Sequence, residues 1–528
     1  MNLLWAFGTA AVTCGVILDL EHVFRRRQLS KQTCLLDIDS LGFRVPREKI
    51  KGTAVICGGS IGGLIATRVC HDHFDDVLIV EPETWLNSPD AMRVDPWNQE
   101  NKRSRIVQYN SLHLLLAIGY KALSKLFPNI EEQSKASGIR IGPNDMQFHF
   151  WGHSTRMPYT EYSGTLPRSI YASRAGTETF LRRLVLSGDY QNIRQVIGTV
   201  TGVSRNLHNS EFIDHVMVRT PEGTQTLQLL SSLIVQDLQL LARNGSDGRL
   251  PLDELRIAYD QKLHYSTLQF HVPPELGRRL PGLPYPYDNC GPIYCNSPSD
   301  PTKDNRCMYS QCVDGDILQV CFTAMGECEL PKTLEEAKAG ARSLVTEKPV
   351  PETFFKMLDM LDEVKDTMTC SQVRYPGSSY IRYERAVNLP SNWVALGDSV
   401  MRVNPIYGQG CSKAIFGAIC FDQLLRNATE IPKDFSKKYF NIHVEKIRPI
   451  WEALKVSDYS FPETIPLPGE TLSNGSWLRW YMKKLIVLAF TDDQAGSAMW
   501  RSRCLLAPSS ETFQLGLILK VCWSLIKG

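Results

Sequence analysis

The chain has 528 residues, 43% hydrophobic and 22% charged, a balance that suits large buried cores and excludes wholesale disorder. Its 58 Lys and Arg against 56 Asp and Glu leave a net charge of +2 with no long run of either sign, which excludes a nucleic-acid binder. No stretch reaches the roughly 18 to 20 uninterrupted apolar residues of a membrane-spanning helix, so a multi-span membrane protein is excluded as well.

The chain opens on an apolar run, Leu3 to Leu18, followed by Arg25-Arg26-Arg27. Residues 1–30 read as a signal-anchor with its basic flank in the cytosol, as a helix lying in the membrane surface, or as a helix packed on the protein. The first informative segment is Thr53 to Ala66, in which a β-rich apolar stretch runs into Gly58-Gly-Ser60-Ile-Gly-Gly63 and then into a helical pattern. That order predicts a dinucleotide-binding turn. Gly58 permits the tight turn, Gly63 permits close packing of helix on strand, and the helix N-terminus faces a pyrophosphate. Ser60 stands where the middle glycine is usual. A second strand, Asp76 to Val80, ends in Glu81, placed to accept from ribose hydroxyls and to favour FAD or NAD(H) over a 2′-phosphate.

Six of the fifteen cysteines fall between Cys290 and Cys328, in a region that reads as strands of a layer at 255–388. None forms a C-x-x-C pair and no histidines show ligand spacing, so they read as small hydrophobes and no metal site is expected. Near the end of the body, a strand Asn392 to Leu396 runs into Gly397-Asp398, whose carboxylate can accept from polyol hydroxyls. Pro405 then stiffens a turn, and Gly408 and Gly410 open a helix over Ala414 to Leu425 whose N-terminus suits an anion. After a proline-rich linker at 462–468, Trp477 to Leu488 and Phe513 to Ile526 mix aromatic and basic residues with aliphatic runs. Residues 456–528 are therefore a helical tail suited to a membrane surface.

The paired motifs, GGSIGGL at 58–64 with Glu81 and GDSVMRVNPIYGQG at 397–410, resemble those of the group A FAD-dependent monooxygenases, a family that includes aromatic hydroxylases and squalene epoxidase. The resemblance covers roughly residues 50–450. It implies an α/β, Rossmann-like FAD-binding fold (50–254 and 389–455) with an interleaved antiparallel β-sheet substrate domain and C-terminal helices. Carried over, the FAD contacts fall to Gly58, Ser60, Gly63, Glu81, Asp398, Pro405, Gly408 and Gly410. Arg105, Gln108 and His113 resemble the family's Arg/Gln segment entering a helix near the flavin, and Arg174 resembles the arginine that opens another helix there. The family's strand-terminal Asp-Gly is missing near residue 235, where Val235 runs into Gln236, and Asp247-Gly248 lies in a polar loop instead. No catalytic nucleophile is singled out, because the cofactor carries the hard chemistry.

The implied activity is hydroxylation or epoxidation of a lipophilic metabolite, terpenoid or polyketide in type. NAD(P)H would be the transient electron donor, and O2 would yield a flavin C4a-hydroperoxide. The apolar ends add a membrane-associated location with the enzyme body on the cytoplasmic side. An FAD-dependent reductase, desaturase or cyclase, or a degenerate non-catalytic flavoprotein, are the alternatives. Halogenation is disfavoured by the absence of a Trp-x-Trp-x-Ile-Pro signature.

Overall fold

Strand Ile50–Cys57 holds Ala54, Val55 and Ile56 fully buried, the continuous apolar pattern of a strand covered on both faces. In the computed structural model, which describes residues 23–205, 211–228, 233–235 and 252–526, it sits at the centre of a parallel sheet. The sheet order is Trp393–Val394, Leu233–Val235, Ile50–Cys57, Phe74–Glu81, Ile193–Ile197, with every neighbouring pair parallel. Helices Ile61–His73, Arg174–Leu186 and Gly410–Leu425 pack around it. The glycine turn leaves the carboxyl end of the central strand, where open α/β sheets bind their ligands.

A second, seven-stranded sheet forms the other layer. Its order is Thr369–Arg374, Leu263–His271, Ile317–Met325, Arg306–Cys312, Pro292–Ser297, Phe148–Phe150, His153–Ser154. Pairing is antiparallel throughout, except that Phe148–Phe150 runs parallel to Pro292–Ser297. The antiparallel layer expected at 255–388 thus recruits two strands from residues 148–154, inside the stretch assigned from sequence to the cofactor half. Cys295, Cys307, Cys312 and Cys321 are buried on its strands.

Two local expectations differ. Residues 105–114 form turns instead of entering a helix, and the next helix, Ala117–Leu126, starts later. The strand before Gly397 is only Trp393–Val394, and Gly397–Ser399 is a single 3-10 turn.

The tail folds as helices Ser476–Ala489, Asp493–Arg503 and Leu515–Ile526 around a small core of Tyr481, Leu485, Leu517 and Val521. Trp477, Trp480, Leu515, Leu519 and Ile526 remain exposed on its outer faces. Among the described residues no helix is long and apolar enough to cross a membrane. The apolar run Leu3 to Leu18 and the 236–248 segment lie outside the described residues.

Candidate functional site

The two glycine-rich segments, more than three hundred residues apart, line one cavity of about 320 Å³. Gly58, Ser60 and Gly63 form one wall, Asp398, Pro405, Gly408 and Gly410 another, and Gln108, His113 and Arg174 close it. Backbone geometry explains two of the glycines. Gly58 has φ +111°, and a Cβ at residue 63 would stand 1.9 Å from the Gly58 carbonyl oxygen. Helices Ile61–His73 and Gly410–Leu425 both start at this cavity, and neither has a side-chain cap on its first N–H groups. Two positive helix ends with free donors therefore face the same space.

Ser60 is engaged by an acid–base cluster. Arg174 Nη2 donates to Ser60 Oγ at 2.6 Å, Ser60 Oγ donates to Glu178 Oε2 at 3.0 Å, and Arg174 reaches Glu178 directly at 3.1 Å. The buried Glu178 also receives Arg103 Nη1, and Arg182 stands 3.9 Å away. Arg174 opens its helix behind Ser173, whose Oγ accepts from Gly176 N. Asp314, from a turn of the seven-stranded sheet, accepts from Ser173 N and Oγ, so the two layers meet at this helix start.

Glu81 and Arg105 are placed differently from the rest. Glu81 is fully buried and does not line the cavity: Oε2 accepts from Gly59 N at 2.7 Å and Oε1 from Glu83 N at 3.1 Å. Arg103 stands 3.4 Å from Glu81 and 2.9 Å from Glu83, and burial, which lowers its pKa, is outweighed by these carboxylates and Glu178. The strand-end acid thus braces the glycine turn from behind. The Arg105 side chain is exposed and off the cavity, while its N–H donates to Glu83 Oε1.

On the opposite wall Asp398 is 71% exposed, yet it faces the recess and not open surface. Lys413, 1% exposed, lies 2.8 Å from Asp398 Oδ1 and also donates to Met401 O. Enclosure raises the Asp398 pKa, but the Lys413 ammonium more than offsets this and holds it below the ordinary carboxylate value. Burial, reinforced by the Arg174 charge, depresses His113 to about 4, so its ring is neutral at pH 7. Gln108 Nε2 is buried with no close hydrogen-bond partner among the described residues, although it lies near enough to the Tyr265 hydroxyl to act on it.

Sequence reasoning missed three members of this site. Lys413 is the lone cation in a mostly apolar helix, which is a readable signal. Arg103 left no signal beyond its sign. Asp458, at the end of helix Phe435–Asp458, accepts from Asn404 Nδ2 at 2.8 Å, Tyr407 Oη at 3.0 Å and Tyr259 Oη at 2.8 Å. It clamps both ends of the Asn404–Tyr407 turn that carries Pro405. Burial pushes its carboxyl up to about 7 against these three donors.

No family model matches the chain. Protein Rv3254 of Mycobacterium tuberculosis is 23% identical over 439 residues, spanning 79% of this chain and 83% of that protein. Among solved structures, the flavin-dependent brominase Bmp2 matches 90% of this chain and 99% of its own, with TM-score 0.53 and 12% identity. HpxO of Klebsiella pneumoniae, solved with FAD and uric acid, matches 86% and 97% with TM-score 0.51 and 12% identity. The flavin-dependent halogenase CmlS matches 84% and 73% with TM-score 0.52 and 16% identity. The chain has the FAD-binding flavoprotein fold. Within that fold the cavity lies where a parallel sheet, two bare helix ends and the antiparallel layer converge.

Proposed function

We propose that this flavoprotein is an FAD-dependent monooxygenase that hydroxylates or epoxidises a lipophilic small molecule, with NAD(P)H as transient electron donor and O2 as co-substrate. The observation that carries the reading is the meeting of two uncapped helix N-termini at one cavity. Its other features suit FAD too: Gln108 presents a side-chain amide to the cavity, and Gly410 has open space where a Cβ would stand. Gly58, Ser60, Gly63 and Arg174 would hold the pyrophosphate side, and Asp398 the polyol. Pro405, Gly408 and Gly410 would line the ring system. When bound, FAD supplies reduction of O2 and transfer of one oxygen atom.

The chain's own residues orient and shield. Asp458 fixes the Asn404–Tyr407 turn, Lys413 keeps Asp398 ionised, and Glu81 with Arg103 stiffens the glycine turn. Leu112 and Leu114, with the neutral His113 between them, keep bulk water from the side facing the antiparallel sheet. That sheet is proposed as the substrate layer, with the segments around it forming the cofactor unit. The outward Trp477, Trp480, Leu519 and Ile526, beside Lys483 and Lys484, support docking on a membrane surface as a source of apolar substrate.

The test is anaerobic reduction of purified protein with NADH and with NADPH, then admission of air and mass analysis of products formed from a lipophilic extract. A bound-flavin spectrum, O2 uptake and a product gain of one oxygen atom are expected. Protein that retains no flavin overturns the cofactor assignment, and turnover without oxygen incorporation overturns the monooxygenase in favour of a reductase or desaturase.

A further inference from the structure

A second, smaller recess opens beside the cavity on the antiparallel-sheet side, lined by Tyr265, Tyr309, Thr323 and Ile406. Leu112, Leu114 and Pro405 line both spaces, so the recess adjoins the proposed flavin site. Its walls are apolar and aromatic. Close behind one of them stands a cation with no counter-ion among the described residues.

Arg503 ends helix Asp493–Arg503. Its guanidinium carbon is 3.2 Å from the centre of the Phe148 ring, and Phe148 meets Tyr309 edge-to-face at 6.4 Å. Phe148, Tyr309, Leu112 and Ile406 belong to one apolar cluster. The side chain is partly open to solvent-sized space yet enclosed by protein, as Asp398 is in the flavin cavity. Its Nε is buried and unbonded, and among the described residues no carboxylate pairs with it. The ionisable neighbours that act on it are Tyr309, Cys295, Cys504 and Tyr407, all neutral at pH 7.

What sets Arg503 apart is the missing counter-ion, since the Nε of Arg501 is buried and unbonded as well. Arg501, two residues earlier on the same helix, pairs with Glu161 and with Glu511 at 2.6 Å. Arg103 meets three carboxylates, and Arg140 is satisfied by the carbonyls of Val313 and Gly315. A cation enclosed by protein with only a ring face for a partner is costly, and burial pulls Arg503 below its ordinary pKa. An apolar side chain in its place would pack on Phe148 without that cost. What the guanidinium adds is a planar pair of donors that matches two coplanar oxygens.

We propose that Arg503 is the specificity residue for an acidic substrate: a mainly apolar molecule carrying one carboxylate or β-dicarbonyl enolate that pairs with this guanidinium beside the Phe148–Tyr309 wall. This rests on the reading of the recess as the substrate side of a flavin site. The acid fixes one end of the molecule, and the remainder lies along the aromatic lining towards Pro405.

The test compares wild type with Arg503→Met and Arg503→Lys by tryptophan fluorescence and thermal unfolding. The probes are two acid–amide pairs, laurate with lauramide and 1-naphthoate with 1-naphthamide. Wild type should bind at least one acid about tenfold or more tightly than its amide. Arg503→Met should lose that preference and, without ligand, unfold at the same or a higher temperature, while Arg503→Lys should keep part of it. Three results would overturn the proposal: no acid preference in wild type (including no acid binding at all), a preference that survives Arg503→Met, or a Met variant that does not fold. Flavin content is read on the same preparations. Its absence would sink the cofactor reading and leave the acid preference separately legible.

Discussion

Arg174 Nη2 stands 2.6 Å from Ser60 Oγ, and the same hydroxyl donates to Glu178 Oε2. The serine that interrupts the glycine turn is thus an acceptor for one charge and a donor to the other. A hydroxyl at this point holds Arg174 at the cavity wall, where a glycine would leave it only Glu178.

Ser60→Gly should therefore cost about 1 kcal/mol of stability in denaturant unfolding while leaving flavin retained. Arg174→Met should raise the FAD dissociation constant about tenfold or more, because a hydrogen bond from a charged group to phosphate is lost. Flavin fluorescence on dilution reads both. An unchanged FAD affinity in Arg174→Met would remove Arg174 from the site.

Gly63 and Gly410 separate folding from binding. A Cβ at 63 meets a backbone oxygen at 1.9 Å, whereas one at 410 meets nothing within 4 Å. Gly63→Ala should lose about 3 kcal/mol or more of stability together with its flavin. Gly410→Ala should keep the wild-type melting temperature and lose flavin affinity alone, because the new methyl enters the cavity. A Gly410→Ala protein with undiminished flavin content would place the cofactor elsewhere.

Asp458 gives a pH signature. Its folded pKa of about 7 lies above the ordinary 3.8, so protonation favours the native state. That stabilisation is complete below about pH 3.8 and is lost as pH rises towards 7. Asp458→Asn, which keeps a neutral acceptor for Tyr259 or Tyr407, should flatten the dependence. The melting temperature of wild type minus that of the variant should fall between pH 4 and 7 and then level off. A difference that grows with pH would show that the carboxylate is stabilised, not strained.

The tail surface is tested with vesicles. The variant Trp477→Ser/Trp480→Ser/Leu519→Ser/Ile526→Ser removes exposed apolar bulk without touching the small core of Leu485, Leu517 and Val521. Binding to phosphatidylserine-containing vesicles should drop several-fold with flavin content unchanged. Wild type that does not cosediment, or a variant that cosediments as well, ends the membrane reading.

The parts of the site that rest on backbone were legible in the chain. A positive φ at 58 and a sub-van-der-Waals approach at 63 admit only glycine, so those positions show in the letters themselves. The parts that rest on pairing were hidden. Ser60 looks like a defect until Arg174 and Glu178 are brought beside it by folding. Glu81 was readable as a strand-end acid but not as a brace under Gly59, because its partner Arg103 comes from an aperiodic loop. In the same way nothing local distinguishes Arg503 from Arg501; only the presence of Glu161 and Glu511 on one side and aromatic rings on the other does so.

Phe148–Phe150 lies alongside Pro292–Ser297, and the cavity needs both Gly58 and Gly410. Synthesis proceeds from the N-terminus, so the glycine turn emerges from the ribosome long before its opposite wall exists. Until residues 393–425 are released, strand Leu233–Val235 lacks its outer neighbour Trp393–Val394, and the glycine turn lacks the opposite wall of its cavity. The last quarter of translation thus decides whether the first quarter has a partner, and a chain stopped short of that helix is a candidate for the chaperones, not for the cofactor.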